Sequence, residues 1–268
     1  MKETNRAGLA RTNSLLKEKL LRWMPEPGLH PTAIEGLMIA RHHDAKEIQN
    51  CFYKPMVAVV IQGSKRSVIG SEVYRYGENH CLVVGVDIPS ANHSIVASPD
   101  QPFLAVALDL NKYLITQLAA EIPPPSRLGD DTYKGMAVAE VDPDVLDAFL
   151  RLVELLEKPE QIPVLAPMII REIHYRLLIG PQGERLRMVN TLGTRSNQIA
   201  KSITWLRDNY KEPLQVDELA RKVNMATSTF HRHFRLVTTL SPLQFQKLYL
   251  RPSFRRCLFF LNREIDLT

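Results

Sequence analysis

Apolar positions between residues 213 and 250 recur at three- and four-residue spacing, and the pattern restarts three times. Val216, Leu219, Ala220 and Val223 share one face of a first short helix. Phe230, Phe234 and Val237 do the same on a second. A third opens at Ser241-Pro242-Leu243-Gln244, the form of a capping box with proline at the first helical position. Asp217 and Glu218 fall in the first turn of the first helix, where carboxylates favour the positive end of the helix dipole. Ala220 is small enough for a second helix to cross close to its backbone. Asn224 stands where the chain must reverse, and Asn tolerates the left-handed backbone of a helix C-terminus. The second helix is expected to start with Thr227 or Ser228 as N-cap. A helix over 197–210, with Ile199, Ile203 and Leu206 as its stripe, precedes the motif.

The first two-thirds of the chain reads differently. Residues 1–24 form an amphipathic helix with Leu9, Leu15, Leu16, Leu20 and Leu21 as apolar positions. Short β-rich runs then recur about every ten residues, at 36–40, 56–62, 67–69, 72–76, 81–87, 93–97 and 103–110. Gly70-Ser71 suits a hairpin turn between two of them. Regular short strands of this kind predict an antiparallel sandwich or barrel. Helices follow at 111–121, 143–158 and 162–179; the wide stripe Val145, Leu146, Phe149, Leu152, Val153 and Leu156 needs a partner, either the sheet or a second subunit.

Composition narrows the class. At 268 residues and 45% hydrophobic content the chain can hold one large or two modest cores. No apolar run is long enough to span a membrane, and the N-terminus lacks the apolar core of a secretory signal. Cys51, Cys81 and Cys257 are widely spaced and odd in number, which suits a reducing cytoplasm. Charge is unevenly placed: residues 181–268 carry 15 Lys+Arg against 7 Asp+Glu, a net of +8, while residues 1–180 carry a net of −3. That concentration around the helical motif suits a polyanion, because each phosphate contact releases condensed counterions.

The outer face of the second helix carries Ser228, His231, Arg232 and Arg235. Arg binds guanine bidentately, and Ser or His can donate or accept at a base edge. A generic helical hairpin with a solvated basic face would share this periodicity, but the order of features is more specific. EPLQVDELARKVNMATSTFHRHFRLVT, then SPLQFQK, then RRCL, closely resembles the AraC/XylS family of transcription regulators over about 60 residues. The segment YKPMVAVVIQGSKRSVIGSEVYRYGENHCLVVGVDIPSANHSIVASPDQPFLAVALDL is similar to the N-terminal domain of one AraC subfamily. The resemblance implies an α+β chain: a cupin-like β-barrel with following helices, then an all-α helix-turn-helix domain. It implies a helical extension over 1–29, an effector-binding and dimerisation domain over 30–182, a linker over 183–195 and a DNA-binding domain over 196–268. Carried onto this sequence, it places base contacts at Ser228, His231 and Arg232 and phosphate contacts at Thr227 and Arg235. The implied protein is a cytoplasmic bacterial homodimer that binds double-stranded DNA and an unknown small-molecule effector, with RNA polymerase a further partner open to it.

Members of this family carry two helix-turn-helix units joined by a long helix. Here 248–263 occupies the joining-helix position, with Arg255, Arg256 and Leu258 in register, and the sequence ends at Thr268 where the second unit would begin. The expected DNA-binding domain is therefore truncated. Pro252 removes a helical hydrogen bond and clashes with the preceding turn, so a kink or restart is expected there. Thr239 stands where the family often has glycine. Two alternatives follow: a truncated regulator that pairs with a full-length paralogue, or a ligand-binding cupin with a vestigial tail.

Enzymatic readings find little support. Metal cupins pair histidines one residue apart, whereas His80 and His93 are isolated. Adjacent His42 and His43 would point to opposite faces of a strand. Neither Asp87 nor Glu78 has a histidine at the needed spacing. Cys81, opening an apolar strand, reads as a buried hydrophobe, with a sensing thiol as the sharper alternative. Tyr53, Tyr74 and Tyr76 could line a pocket or belong to the core. No nucleophile–base pair or phosphate loop is present, so no catalytic residue, metal ligand or cofactor is expected.

Overall fold

The computed structural model of the chain describes residues 2–43, 48–123, 133–251 and Phe254. Helix α1 (Lys2–Trp23) precedes nine strands: β1 (Gly28–Pro31), β2 (Leu37–His42), β3 (Ile48–Tyr53), β4 (Met56–Gln62), β5 (Ser64–Ile69), β6 (Glu72–Gly77), β7 (His80–Val84), β8 (Ile88–Val96) and β9 (Phe103–Asp109). Then come α2 (Lys112–Glu121), β10 (Met136–Glu140), α3 (Pro143–Leu155), α4 (Ile162–Ile179) and α5 (Gly183–Asn190). The C-terminal part is helical: α6 (Arg195–Asp208), α7 (Val216–Lys222), α8 (Thr227–Thr238) and α9 (Pro242–Leu250).

The fold is α+β. One antiparallel sheet runs β1-β2-β9-β4-β7-β10 and a second runs β3-β8-β5-β6. They are the two walls of the barrel-like half, and among the described residues no ladder joins one to the other. Side-chain alternation explains how the larger sheet is buried on both faces. Val57, Val59, Ile61, Cys81, Val83, Leu104, Val106 and Leu108 point to a layer of helices, where they meet Leu16 and Leu20 of α1, Phe149 and Leu152 of α3 and Ile173 of α4. Val60, Leu82, Val84, Phe103 and Ala105 point the other way, towards Tyr53, Ile69, Tyr76 and Ile88 of the smaller sheet.

The hairpin expected at Gly70-Ser71 is present: Ile69 pairs with Glu72, and Gly70 has φ 56°. Strands β1, β3 and β10 arise where periodicity gave no expectation. β1 contains Pro31 and lies at a sheet edge, the position that tolerates proline. The segment read as a linker contains α5, whose Leu186 and Val189 are buried.

The second apolar core does not stop at the sandwich. It runs on through Val189 into Ile199, Ile203, Leu219, Phe230, Phe234, Phe245 and Tyr249. Phe52 of β3 stacks on Tyr249 of α9, ring centroids 3.8 Å apart and planes 11° apart, and also touches Phe245 and Phe254. Polar contacts reinforce this seam. Gly135 N donates to Val237 O (2.9 Å), Thr239 Oγ1 donates to Ile69 O (2.8 Å), and Arg207 Nη1 pairs with the Asp87 carboxylate at 3.2 Å. Pro252, Arg255, Arg256, Cys257 and Leu258 lie outside the described residues, as does most of the expected joining helix. α9 ends at Leu250, and Arg251 is extended (φ −77°, ψ 127°), the conformation a following proline imposes.

Candidate nucleic-acid interface

Helix α7 begins with Asp217 and Glu218 in its first turn and buries Leu219 and Ala220. The chain then reverses through Asn224, whose φ of 56° is the left-handed conformation expected there. α8 starts at Thr227. Its N-cap is Ala226, with no side-chain cap bond, so neither Thr227 nor Ser228 caps it. The first helical position leaves Thr227 partly exposed and Ser228 free on the outer face. Phe230, Phe234 and Val237 are buried as a single stripe, with Phe234 edge-on to Phe245 of α9 at 5.4 Å. α9 is held at its start by the full capping box: Ser241 Oγ accepts from Gln244 N (3.2 Å), and Ser241 N donates to Gln244 Oε1 (2.9 Å).

With one face fixed by aromatic packing, the other is defined. Ser228, His231, Arg232 and Arg235 are all exposed on the outward side of α8. His231, Arg232 and Arg235 line an open groove of ≈410 Å³ together with Leu236 and Ser241. Ser228 and Thr227 lie at the N-terminal end, beyond that groove. Arg232 Nη2 lies 3.3 Å from the ring Nε2 of its buried neighbour His233, a contact within the helix that leaves the guanidinium at the surface. Leu236 was not legible as a candidate. It sits one turn after Arg232 and is half exposed, an apolar contact of the kind that suits a thymine methyl. The C-terminal end of α8 is docked on the sandwich through Val237 O and Thr239 Oγ1, while Ser228, His231, Arg232, Arg235 and Leu236 are exposed.

That docking passes through a strained residue. Thr239 closes α8 at φ 62°, a left-handed conformation that β-branched residues rarely adopt. Its hydroxyl contacts both Thr238 O (2.7 Å) and Ile69 O (2.8 Å), and it lies against Gly70, where an added Cβ would sit 2.4 Å from Thr239 Oγ1. The glycine of the hairpin therefore makes room for the threonine of the helix terminus.

The inner face of the smaller sheet holds a buried polar cluster that sequence spacing did not single out. Tyr53 OH, Ser67 Oγ and Ser90 Oγ all donate to Asn92 Oδ1, at 2.7, 2.6 and 2.9 Å. Ser67 has then spent its proton, so the 2.7 Å contact with Tyr76 OH has the phenol as donor. Asn92 Nδ2 points to Cys51 Sγ at 3.0 Å. Register could have found the cluster: Cys51 faces Ser90, and Ser67 faces Asn92 and Tyr74. Burial raises the Tyr76 phenol well above its ordinary range. Lys65 lies beside Tyr53 and Phe103, 5.8 and 5.7 Å from the ring centroids.

The histidines are spread out. His42 stacks on Phe103 at 6.0 Å; burial, and then the positive Lys65, lower its pKa to about 4. His80 Nδ1 meets Glu78 O at 3.0 Å. His93 lies in β8, away from both. Among the described residues no three His, Cys, Asp or Glu side chains come together as a metal site. Cys81 is buried, and burial pushes its thiol up to about 11; Cys51 is half-buried. Among the described residues no helix is long and apolar enough to cross a membrane.

No curated protein has a sequence significantly similar to this chain. Solved structures to which the chain bears a weak likeness include ToxT from Vibrio cholerae O395, 9% identical, with TM-score 0.36 over 80% of this chain and 97% of that one. Unsaturated-fatty-acid-bound ToxT from strain SCE256 is 10% identical, with TM-score 0.37 over 80% of this chain and 94% of that one. The AraC-like transcriptional activator CuxR is 11% identical, with TM-score 0.32 over 85% of this chain and 78% of that one. These likenesses are loose. Residues 33–185, more than half of the chain and almost the whole sandwich with its helices, match the family described as the AraC-type transcriptional regulator N-terminus. The chain belongs to the AraC-type transcriptional regulators defined by this N-terminal domain.

Proposed function

We propose that the chain is a non-catalytic, cytoplasmic, sequence-specific DNA-binding transcription regulator, working as a homodimer under the control of a small effector. The observation that carries this reading is α8: a helix held by Phe230 and Phe234 on one face and presenting Ser228, His231, Arg232 and Arg235 on the other. Helix-turn-helix proteins set the N-terminal residues of the second helix against base edges in the major groove. Ser228, His231 and Arg232 are exposed in the first two turns of α8. Ser228, His231 and Arg232 are the base-reading side chains, with Thr227 and Arg235 on phosphates. A dimer would supply paired reading heads with the affinity gain of a tethered second site.

The effector acts on the N-terminal domain. Hydroxyl and amide groups buried in an apolar sandwich carry a desolvation cost. Tyr53, Ser67, Tyr76, Ser90 and Asn92 meet it with one another. Tyr53 of β3 faces the cluster, while the preceding residue, Phe52, stacks on Tyr249 of α9.

Selection of duplexes from a random pool by the full chain tests the DNA part. Enrichment of one sequence family, with positions lost in Arg232→Ala, is expected. An unenriched pool that binds only by charge would overturn sequence reading.

A further inference from the structure

The outer face of the smaller sheet is divided in two. Side chains alternate along each strand, and the register fixes which of them share that face. Ser67, Ser90 and Asn92 point inward to the hydroxyl cluster. Their neighbours Arg66, Ala91 and His93 therefore point outward. Across the strands, Arg66 stands opposite His93 of β8 on one side and Arg75 of β6 on the other. At one end of the face lie Phe52 and its cross-strand partner Pro89, with Tyr249 of α9 stacked on Phe52. The other end carries Arg75, Arg66 and His93 as a row over three neighbouring strands.

Such a row is unfavourable in a chain alone. Directly opposed side chains of an antiparallel pair have Cβ atoms about 5 Å apart, and like charges placed there repel. The carboxylates of the same hairpin are engaged elsewhere: Glu72 pairs with Lys134 at 3.0 Å, and Glu78 Oε1 accepts from Gly63 N at 3.3 Å. Among the described residues no carboxylate forms an ion pair with Arg66, Arg75 or His93. Arg66 is half-buried, and its Nε is buried without a hydrogen-bond partner. That nitrogen has given up water and gained nothing within the chain. Arg75, beside it, is exposed. Adjacent cations with no acid of their own match a partner that brings the negative charge.

The row also lies close to the helix proposed to read DNA. Thr239, at the end of α8, bonds to Ile69 O at 2.8 Å. Ile69 is three residues along β5 from Arg66, about 10 Å, and Arg235 is one turn back from Thr239, about 6 Å. Arg66 is thus within about 25 Å of Arg235, less than the roughly 34 Å of one turn of duplex.

We propose that Arg66, Arg75 and His93 form a second DNA contact, which holds phosphates of the duplex flanking the stretch that α8 reads. The proposal rests on the DNA-binding reading above and adds to it a sequence-independent contact on the N-terminal sandwich. The two guanidinium groups present planar N–H donors to phosphate oxygens, and the His93 ring supplies a further N–H.

The test is the salt dependence of binding by the full chain to two duplexes: the selected site alone, and the same site extended by about one turn, roughly ten base pairs, on each side. The extended duplex should bind more tightly. Its slope of log affinity against log salt should be steeper by about 2 for each chain bound, since each neutralised phosphate contributes about 0.9. Arg66→Gln with Arg75→Gln should remove that extra slope and weaken binding to the extended duplex roughly tenfold at physiological salt. The double variant should leave binding to the short site, and the choice of selected over scrambled sequence, unchanged. Arg75→Gln alone, at an exposed position, should remove about half of the extra slope, and Arg75→Lys should retain it. Thermal melts check that each variant is folded. An extra slope that survives in both Gln variants, no extra slope in the unaltered chain, or an equal loss on the short and extended duplexes would overturn the proposal. The slopes are also measured on a scrambled duplex of the extended length, so an α8 that reads no sequence would not mask the row. Sequence preference lost in Arg232→Ala with the extra slope intact separates the two contacts.

Discussion

The ring of Phe52 lies flat on the ring of Tyr249, joining the third strand of the sandwich to α9 in the helical C-terminal part. The contact joins two parts of the fold at a buried seam continuous with a single apolar core. The C-terminal helices are therefore braced against the N-terminal sandwich. Phe52→Ala is expected to cost about 3–5 kcal/mol, as for other buried Phe truncations. A double-mutant cycle with Tyr249→Ala should show a coupling of about 0.5–1.5 kcal/mol beyond area burial. Denaturant unfolding of the four proteins measures it; a coupling of zero would mean the domains merely touch.

The ion pair at the same seam is asymmetric. The Asp87 side chain is 4% exposed, whereas that of Arg207 is 39% exposed and also meets Asp208 at 3.0 Å. Burial raises the Asp87 pKa despite the pull of Arg207. A carboxyl held above its ordinary pKa in the fold is a charge the fold tolerates at a cost, and lowering the pH relieves it. Arg207→Ala, which strands the buried carboxylate, should therefore destabilise the chain more than Asp87→Asn, by about 1–3 kcal/mol. Thermal melts at neutral pH check the order, and the gap should close as pH falls and Asp87 takes up a proton.

His42 and His174 set a lower pH limit. Burial lowers both, His42 to about 4, and the His174 ring accepts from Asn111 N through Nε2 (2.9 Å) while Nδ1 donates to Ile170 O (2.8 Å). That pattern requires a neutral ring. The unfolded chain takes up a proton near 6.5 that the fold refuses, so stability is complete above that pH and declines as pH falls towards 4. His42→Gln should flatten part of this decline, read as the melting temperature at pH 7 minus that at pH 4.5. An unchanged difference would remove His42 from the account.

Thr239 balances strain against hydrogen bonding. Thr239→Ala keeps the left-handed cap and loses the bond to Ile69, so it should cost about 1 kcal/mol. Thr239→Gly loses the same bond but releases the strain, and should be close to neutral. Equal losses in both would show that the conformation itself carries no cost.

Much of this was legible in the sequence, and the reasons are local. α8 and α9 are written in short-range signals: aromatic residues on one stripe, a capping box, and an asparagine at the reversal. Strand Met56–Gln62, a continuous apolar run, was readable to the residue. Strand Ile48–Tyr53 was not, because Gln49 and Asn50 break its pattern and only the neighbouring β8 gives them a place. The N-cap position of α8 shifted to Ala226 because the helix begins one residue earlier than the Thr-Ser pair suggested. The Phe52–Tyr249 contact and the hydroxyl cluster around Asn92 join residues far apart in sequence, so no window could show them. α4 read as a helix from its apolar content, but which of its faces stays open depends on what the sandwich already covers.

The roles on α8 separate by salt. Arg232→Ala should weaken binding to the specific duplex by about 1–3 kcal/mol and relax preference at one base pair. Arg235→Ala should weaken binding to every duplex and reduce the slope of log affinity against log salt by about 1. Reversed behaviour would exchange the two assignments.

The measurement that tests the central claim most directly is fluorescence anisotropy of the full chain on a duplex recovered by selection and on a scrambled one, at two salt concentrations. The account requires tighter binding to the selected duplex and a preference that persists at the higher salt, where phosphate contacts are weakened. Equal affinities for both duplexes, falling together as salt rises, would contradict it and leave α8 a basic surface without a reading function.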